Sequence, residues 1–429
     1  MKRPSAMGEC GEGERTTPGA LVPRPVTRAG KHRLEAGGYG AVGGEGLGPF
    51  PPLHDSRPLF GVERVWLAAD RSGPPFVNQF VVELDGEVDP MALEAAIATV
   101  LPAWPAARAR LTGWLASARW TAVGAPPRVR AASDDESVRL DPHTGPIVEW
   151  VFGPAPDGGT RLVLRTHHAA FDGRAAWALA EDLGSALRGE PIRGAAFATV
   201  VEPPGGKVTP EPPADARLPT GASSGATGTA WERFTLPTAG AGVLPRVLVA
   251  LAVAAGGTLR LSVPVDLRPL LPASDQRAAA NLTGFVTVTV APDDDVRGLA
   301  EHLRELRAGT GALNVLRTAD SVRGVPLWLM SWVARRGAAE AARRGQSTAS
   351  GVVSNLGRLD AHVFDHPGCS GRACFWIPPT NPGTPLFVTL TGHSYGLEVV
   401  VGMPNAYGDG GRLSAFVGAV GAALGGAER

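Results

Sequence analysis

Cysteine is scarce in this sequence of 429 residues, and its scarcity argues against two kinds of protein. Only 3 cysteines are present, Cys10, Cys369 and Cys374, too few for the disulfide framework of a small secreted domain. The last two form C-x-x-x-x-C, which is neither a thioredoxin spacing nor a zinc-ligand spacing. We therefore expect neither a disulfide-stabilised fold nor a cysteine-based metal site.

An excess of charge and long apolar runs are also lacking. The chain has 41 basic and 41 acidic residues and a formal net charge of +0, so no strong overall field attracts nucleic acid or an anionic membrane. No apolar run is long enough to span a bilayer, and the N-terminus has no signal-peptide core. These features predict a cytoplasmic protein that neither binds nucleic acid nor inserts stably into a membrane.

The length and composition indicate more than one folded unit. With 44% hydrophobic and 19% charged residues, the chain can bury two substantial cores. Residues 1–59 are rich in Gly, Pro and Arg, and we expect a disordered extension or a misassigned translation start there. Residues 203–229 are the best internal linker because large apolar residues are almost absent. The sequence thus predicts an N-terminal lobe over 60–202 and a C-terminal lobe over 230–429.

The segment Thr166–Gly173, which reads T-H-H-A-A-F-D-G, is the most informative part of the chain. Residues 161–166 alternate as in a half-buried strand, and a helical pattern follows the segment up to Gly189, a suitable helix end. Because neighbouring side chains of a strand face opposite ways, His167 and His168 should point apart. Short loops between a strand and a helix often hold catalytic groups. We therefore expect at most one of the two histidines to line a given cavity.

Acyl transfer is the chemistry that this loop favours. An alcohol or amine that attacks a thioester must lose a proton, and a positioned imidazole can accept it, typically for a gain of about 10²- to 10⁴-fold. A thioester is already activated, so a covalent acyl-enzyme is not required; consistent with that, there is no G-x-S-x-G motif and no cysteine beside the histidines. A metal site is the rival interpretation, but no Cys or Glu cluster stands at zinc spacing. A purely structural role for both histidines is the other alternative.

The residues from His167 to Gly173 match His-His-x-x-x-Asp-Gly in full. In this the sequence resembles the acyltransferases built like chloramphenicol acetyltransferase and the condensation domains of peptide synthetases. The resemblance covers roughly residue 60 to the C-terminus. It implies an α/β protein of two lobes, each built of one helical layer and one sheet layer (α+β), with the active site in a channel between the lobes. It also implies that His168 is the general base and that Asp172 fixes the loop through an arginine. Gly173 would allow a tight turn into the helix.

Three downstream segments resemble the same family. The strand L-R-L-S-V-P-V-D-L-R-P makes Arg268 the candidate partner of Asp172, with an ordinary exposed arginine as the alternative. Asn281 begins a strand similar to one in bacterial alcohol and wax-ester acyltransferases, where it would orient a loop around the channel or simply form a turn. V-V-S-N-L-G contains Ser354, a candidate oxyanion donor, and Asn355, its candidate support; a polar turn is the alternative.

The sequence therefore predicts an acyltransferase that moves an acyl group from a coenzyme A or carrier-protein thioester to a hydroxyl or an amine. O-acyl transfer in specialised or lipid metabolism is preferred, although S-N-L-G-R lacks the proline of wax-ester synthases and argues against that particular role. No bound cofactor is expected; acyl-CoA or a phosphopantetheine thioester is the co-substrate, supplied free or on an acyl carrier protein, and a small molecule is the acceptor. The alternatives are a free-standing condensation enzyme that joins carrier-bound substrates and a non-catalytic carrier-docking module.

Overall fold

The computed structural model describes residues 56–123, 127–132, 138–198, 216–237, 242–270, 277–380 and 383–426. All of them fall within one compact unit. Two large β-sheets, each covered by helices on one face, form the framework of this part of the chain. Within the described ranges, no helix combines the length and the apolar character needed to cross a membrane.

In the described ranges before the predicted linker, the structure has seven strands. They are β1 (Ser56–Pro58), β2 (Val77–Asp85), β3 (Ala109–Thr112), β4 (Arg119–Ala122), β5 (Arg128–Ala131), β6 (Val148–Pro154) and β7 (Thr160–His167). The later strands are β8 (Ala216–Arg217), β9 (Thr229–Leu236), β10 (Leu259–Asp266), β11 (Thr283–Val290), β12 (Gln346–Ser347), β13 (Gly351–Arg358), β14 (Ser370–Ile377), β15 (Phe387–Gly392) and β16 (Leu397–Pro404). The α-helices are α1 (Gly61–Asp70), α2 (Pro90–Val100), α3 (Gly173–Leu187), α4 (Val243–Ala254), α5 (Val296–Ala308), α6 (Asn314–Ser321), α7 (Leu327–Arg344), α8 (Asn405–Gly408) and α9 (Arg412–Gly426).

The first sheet has the order β14-β2-β7-β6-β5. Its pairs are antiparallel except for β5 and β6, which run parallel. Helices α2 and α3 cover one face, where a large apolar core includes Phe80, Leu164 and Leu183. The strand predicted over residues 161–166 is present as β7, but it is buried on both faces rather than half-buried, since Val163 and Arg165 are as buried as Leu162 and Leu164. Helix α3 ends just before Gly189, whose φ of 70° is left-handed as the sequence predicted.

The second sheet has the order β11-β10-β13-β15-β16-β9. Strand β13 pairs in parallel with both β10 and β15, while the other pairs are antiparallel. Helices α4, α5 and α9 pack on one face over a second core that includes Leu248, Val353 and Phe416. The opposite face of this sheet is free to line a cavity, because side chains alternate along each strand.

The structure differs from the predicted domain boundaries in three places. Residues 56–59 are part of the fold rather than an extension, since Arg57 forms a buried ion pair with Glu63 and Leu59 lies in the core. Residues 1–55 and 203–215 lie outside the described ranges. The end of the predicted linker is ordered, because Ala216–Arg217 pairs with β12 and Thr220 donates to the carbonyl of Tyr407.

The third difference is strand β14, which belongs by sequence to the predicted C-terminal lobe but pairs with β2 of the first sheet. The two sheets also meet through side chains, since Arg233 of β9 donates to Glu83 of β2 at 3.2 Å. The second half of the chain therefore contributes an edge strand to the first sheet. This edge strand couples the two halves of the chain near the end of β7, where the histidine loop begins.

Candidate active site

His168 lies directly after β7 and is held by packing on two aromatic rings. Its backbone N–H donates to the carbonyl of Phe76 at 3.1 Å, which continues the pairing of β7 with β2 by one residue. The imidazole stacks on Trp66 of α1 with a centroid distance of 5.6 Å and lies 5.0 Å from the ring of Phe76. These contacts fix the plane of the ring.

The hydrogen bonding of His168 defines its tautomer. Nδ1 lies 3.2 Å from the carbonyl oxygen of Phe171, and because a carbonyl can only accept, Nδ1 must donate. In the neutral ring, Nε2 is then the unprotonated nitrogen and can act as a base. Burial lowers the pKa of His168 to about 4, although the Phe171 carbonyl and Asp172 favour the charged form. The ring is therefore neutral near pH 7.

His167 points to the other side of the sheet and is fully buried. Its Nδ1 accepts a hydrogen bond from the backbone N–H of Ala169 at 3.2 Å, and Nε2 lies 3.9 Å from a carboxylate oxygen of Asp70. Burial lowers the pKa of His167 to about 4 despite that carboxylate. As the sequence predicted, the two histidines diverge, and His167 braces the loop from behind.

Asp172 holds the loop to the helix and to the second half of the chain. As the N-cap of α3, it accepts from the backbone N–H of Ala175 at 2.9 Å. Arg268 donates to both of its carboxylate oxygens, at 2.8 and 3.0 Å, and the backbone N–H of Leu282 donates at 2.8 Å. The contact predicted between Arg268 and Asp172 is thus present. Burial alone would raise the pKa of Asp172, but Arg268 and these N–H donors hold that pKa below its usual range.

Arg268 is itself anchored on all sides. Its guanidinium also donates to Asp266 at 3.2 Å and to the carbonyls of Ala278 and Ala280, each at 3.2 Å. A buried charge needs such partners because leaving it unpaired costs several kcal/mol. The pair with Asp172 therefore joins the histidine loop firmly to the end of β10.

Two asparagines fix the backbone of the histidine loop. Asn281, which is buried, donates through Nδ2 to the carbonyl of His168 at 2.8 Å. Asn78 of β2 donates through Nδ2 to the carbonyl of Phe171 at 2.8 Å, the same oxygen that receives His168 Nδ1. Asn281 therefore contacts the loop, as its interpretation as a loop-orienting residue requires.

His168 lines a cavity of about 350 Å³ between the loop and the open face of the second sheet. Ser354 and Asn355 of β13 line the same cavity, as does Asn281. Neighbouring strands of the second sheet contribute part of the wall through Ser262, Pro264, Thr283, Phe285, Phe387 and Thr389. The buried Val353 points the other way into the core, so the alternation of β13 turns Ser354 toward the cavity.

Gly173 also lines this cavity, but for a reason other than the predicted tight turn. Its backbone is not left-handed, whereas a Cβ placed there would come within 2.7 Å of Cδ2 of Leu356. A left-handed φ is therefore not what position 173 requires, and a side chain there would displace the Leu356 methyl group.

Asn355 is an exposed residue whose Oδ1 accepts from the backbone N–H of Gly357 at 3.0 Å.

A second cavity, of about 950 Å³, adjoins the first at the end of β14. Ile377, Pro378 and Pro379 line both cavities. The second one extends between Val77 and Gln79 of β2 and one face of α7. Within the described residues, no group of three or more His, Cys, Asp or Glu side chains is placed to hold a metal ion.

Sequence reasoning missed Trp66 and Asn78. Trp66 lies on α1, 102 positions before His168 in the numbering, and no local pattern relates the two. Asn78 gave a usable signal, since it alternates with Phe76 and Phe80 on a face of β2 that is otherwise apolar. A lone amide on a buried strand face indicates a carbonyl that needs a donor.

Among the comparisons with known proteins, only the comparison with solved structures found similar proteins. No protein-family model matches it, and a search of curated proteins gave no match. The first condensation domain of the calcium-dependent antibiotic synthetase, solved with a substrate analogue, is similar with a TM-score of 0.58 at 16% identity, over 86% of this chain and 95% of that one.

Two further structures are similar. A variant of the starter condensation domain of rhizomide synthetase in complex with C8-CoA gives a TM-score of 0.58 at 15% identity, over 86% of this chain and 95% of that one. Polyketide synthase associated protein 5 from Mycobacterium tuberculosis gives 0.51 at 16% identity, over 88% and 99%. The chain therefore has the mixed α/β fold of condensation domains and the proteins related to them.

Proposed function

We propose that this protein is an acyltransferase that moves an acyl group from a coenzyme A or phosphopantetheine thioester to a hydroxyl or an amine. One observation carries the proposal: His168 lines a cavity of about 350 Å³ with Nδ1 donating to Phe171 and Nε2 left as the base. A general base must reach the acceptor's proton within hydrogen-bond distance, and in the neutral ring Nε2 is the nitrogen that can accept it.

The proposed reaction needs no covalent enzyme intermediate. The acceptor O–H or N–H gives its proton to Nε2 of His168 while its oxygen or nitrogen bonds to the thioester carbonyl carbon. Ser354 is the proposed donor to the developing oxyanion. When the C–S bond breaks, the leaving thiolate takes the proton from the imidazolium, which restores the neutral ring. Because the pKa of His168 is lowered to about 4, the ring starts the cycle neutral near pH 7, the form that can accept the proton.

The remaining motif residues have positioning roles in this proposal. Asp172 and Arg268 fix the loop, Asn281 and Asn78 hold its carbonyls, and His167 supports it from the opposite side. The site then lies between an N-terminal lobe and a C-terminal lobe, and strand β14 of the second half of the chain completes the first sheet. The complex of a similar fold with C8-CoA supports a thioester donor. We prefer a hydroxyl acceptor, as the sequence resemblance suggests.

A panel assay tests the proposal. Purified protein is incubated with acyl-CoA thioesters of increasing chain length and with alcohols and amines, while free thiol is measured and products are identified by mass. His168→Ala is compared with His302→Ala, which removes an exposed histidine of α5. We expect the first variant alone to lose turnover. Equal turnover in His168→Ala and wild type would overturn the base assignment.

The donor and the acceptor class are decided by the same assay. Transfer from free acyl-CoA to an alcohol supports the preferred function. Transfer only from a carrier-bound thioester, with an amide product, would instead support the free-standing condensation enzyme. If the folded protein neither hydrolysed nor transferred the acyl group of any thioester, whether free or carrier-bound, acyl transfer would be contradicted altogether.

A further inference from the structure

Helix α7 presents an unusual outer surface. Trp328, Trp332 and Val333 are 65%, 46% and 56% exposed. Large apolar side chains are normally exposed singly, and a group of them on one helix indicates an interaction surface. We call these three residues, together with Arg336, the α7 patch.

One side of the helix is attached to the end of α1, and this attachment sets the direction of the patch. Ser331 is buried, and Ser72 donates to its carbonyl at 3.2 Å. Arg335 donates to the carbonyl of Arg71, at the end of α1, at 3.1 Å. At about 100° per residue, Val333 lies on the side of the helix opposite Ser331, and Trp332 lies between the two sides.

A further exposed tryptophan lies close to the start of α7. Arg64 donates to the carbonyl of Leu115 at 3.0 Å and also to the carbonyl of Val325 at 2.6 Å. This arginine therefore ties the loop of Trp114, whose side chain is 75% exposed, to the residues just before the helix. The apolar surface thus extends beyond a single element.

The charge next to the patch is positive although the chain as a whole is neutral. Helix α7 contains four arginines, Arg335, Arg336, Arg343 and Arg344, and one acid, Glu340. The guanidinium of Arg336 lies over the ring of Trp332, 4.7 Å from its centroid. Tryptophan and arginine side by side on an exposed helix match the boundary of an anionic bilayer, where the ring enters the headgroup region and the cation meets phosphate.

Another side of helix α7 borders the second cavity. The residues on another face of the same helix, Arg335, Ala338, Ala339 and Ala342, line the second cavity. The patch therefore lies on the element that borders this cavity. We propose that the α7 patch docks the protein on the surface of an anionic membrane, without insertion of the helix across it. The proposal concerns binding alone and does not depend on the acyl-transfer proposal.

Vesicle flotation tests the proposal. The full-length protein is mixed with vesicles of phosphatidylcholine alone or with about one third phosphatidylglycerol, at low and at high salt. We expect binding to the anionic vesicles at low salt, weaker binding at high salt, and little binding to neutral vesicles. The double variant Trp328→Ala with Trp332→Ala should bind about tenfold more weakly, because it lacks both rings that would enter the headgroup region of the membrane.

Matched variants separate the patch from general surface properties. Met91→Ala removes a 70% exposed apolar residue from α2 and should leave binding unchanged. Arg336→Glu reverses the charge at the patch and should abolish the preference for anionic vesicles. Quenching of tryptophan fluorescence by brominated lipid supplies a second readout that does not require a variant to fold.

Three outcomes would overturn the proposal. The first is equal flotation of wild type with neutral and anionic vesicles, or none with either. The second is undiminished binding by the folded double tryptophan variant. The third is light scattering that shows a wild-type dimer which the same variant converts to a monomer, without vesicle binding, since the patch would then be a contact between copies.

Discussion

The ion pair between Asp172 and Arg268 should contribute strongly to stability, and Asp172→Ala measures it. The substitution removes the N-cap bond to Ala175, worth about 1 kcal/mol. It also leaves the buried Arg268 without its bidentate partner, a loss that costs about 3 to 5 kcal/mol in comparable buried pairs. Because Asp266 still contacts this arginine at 3.2 Å, we expect the arginine term near its lower limit and a total loss of about 4 kcal/mol.

A matched control distinguishes the ion pair from ordinary capping. Asp295 is the N-cap of α5, accepts from Gly298 at 2.7 Å and is exposed. Asp295→Ala should therefore cost only about 1 kcal/mol. Both variants are compared by urea denaturation, with the apparent free energy of unfolding taken from the loss of helix signal.

A double-mutant cycle then isolates the pair. Arg268→Ala should be about as destabilising as Asp172→Ala, and the double variant should lose at least about 2 kcal/mol less than the sum of the two. If His168 is the base, the Asp172→Ala protein should also turn over more slowly, because the loop that holds His168 is no longer fixed. If Asp172→Ala cost no more than Asp295→Ala, or if the two losses were additive, the reasoning would be refuted.

Four further predictions concern the histidine loop. The log of kcat/KM should rise with pH through about 4 and be flat near neutrality, since His168 must be neutral to act and its pKa is lowered to about 4; a midpoint near 6.5 would contradict this. His167 has a folded pKa of about 4 against an ordinary 6.5, so its stabilising contribution is complete above pH 6.5 and is lost as the pH falls toward 4, by about 3 kcal/mol. Denaturation of His167→Asn should show a shallower dependence, and an unchanged slope would refute the assignment. Asn281→Ala should lower kcat about tenfold with little change in KM, because the His168 carbonyl loses its donor; a change in KM alone would count against it. Ser354→Ala should lower kcat about 10²-fold if its hydroxyl stabilises the oxyanion, whereas Ser321→Ala, which removes an exposed hydroxyl of α6, should have no effect.

The local structure around the motif could be predicted because its signals are local. Alternation gave β7, the helical period gave α3, and the adjacency of His167 and His168 on a strand gave their opposite directions. The contact of Arg268 with Asp172 spans 96 positions of sequence, and it was predicted through a family resemblance. No periodicity in the chain relates those two residues.

The rest of the site depends on tertiary packing. Strand β14 has an apolar sequence that fits either sheet, and its pairing with β2 is decided by how the two halves meet. The same applies to Trp66, which reaches His168 only because α1 crosses the end of β7. Gly173 was assigned to a turn, but its neighbour Leu356 comes from β13 and is invisible to local reasoning.

The most direct test of the central claim is the kcat/KM of His168→Ala with an acyl-CoA donor that wild type uses. With the thermal midpoint measured alongside to confirm folding, we expect kcat/KM to fall by about 10²- to 10⁴-fold, the usual contribution of a general base. A folded His168→Ala protein with wild-type kcat/KM would contradict the assignment of His168 as the base.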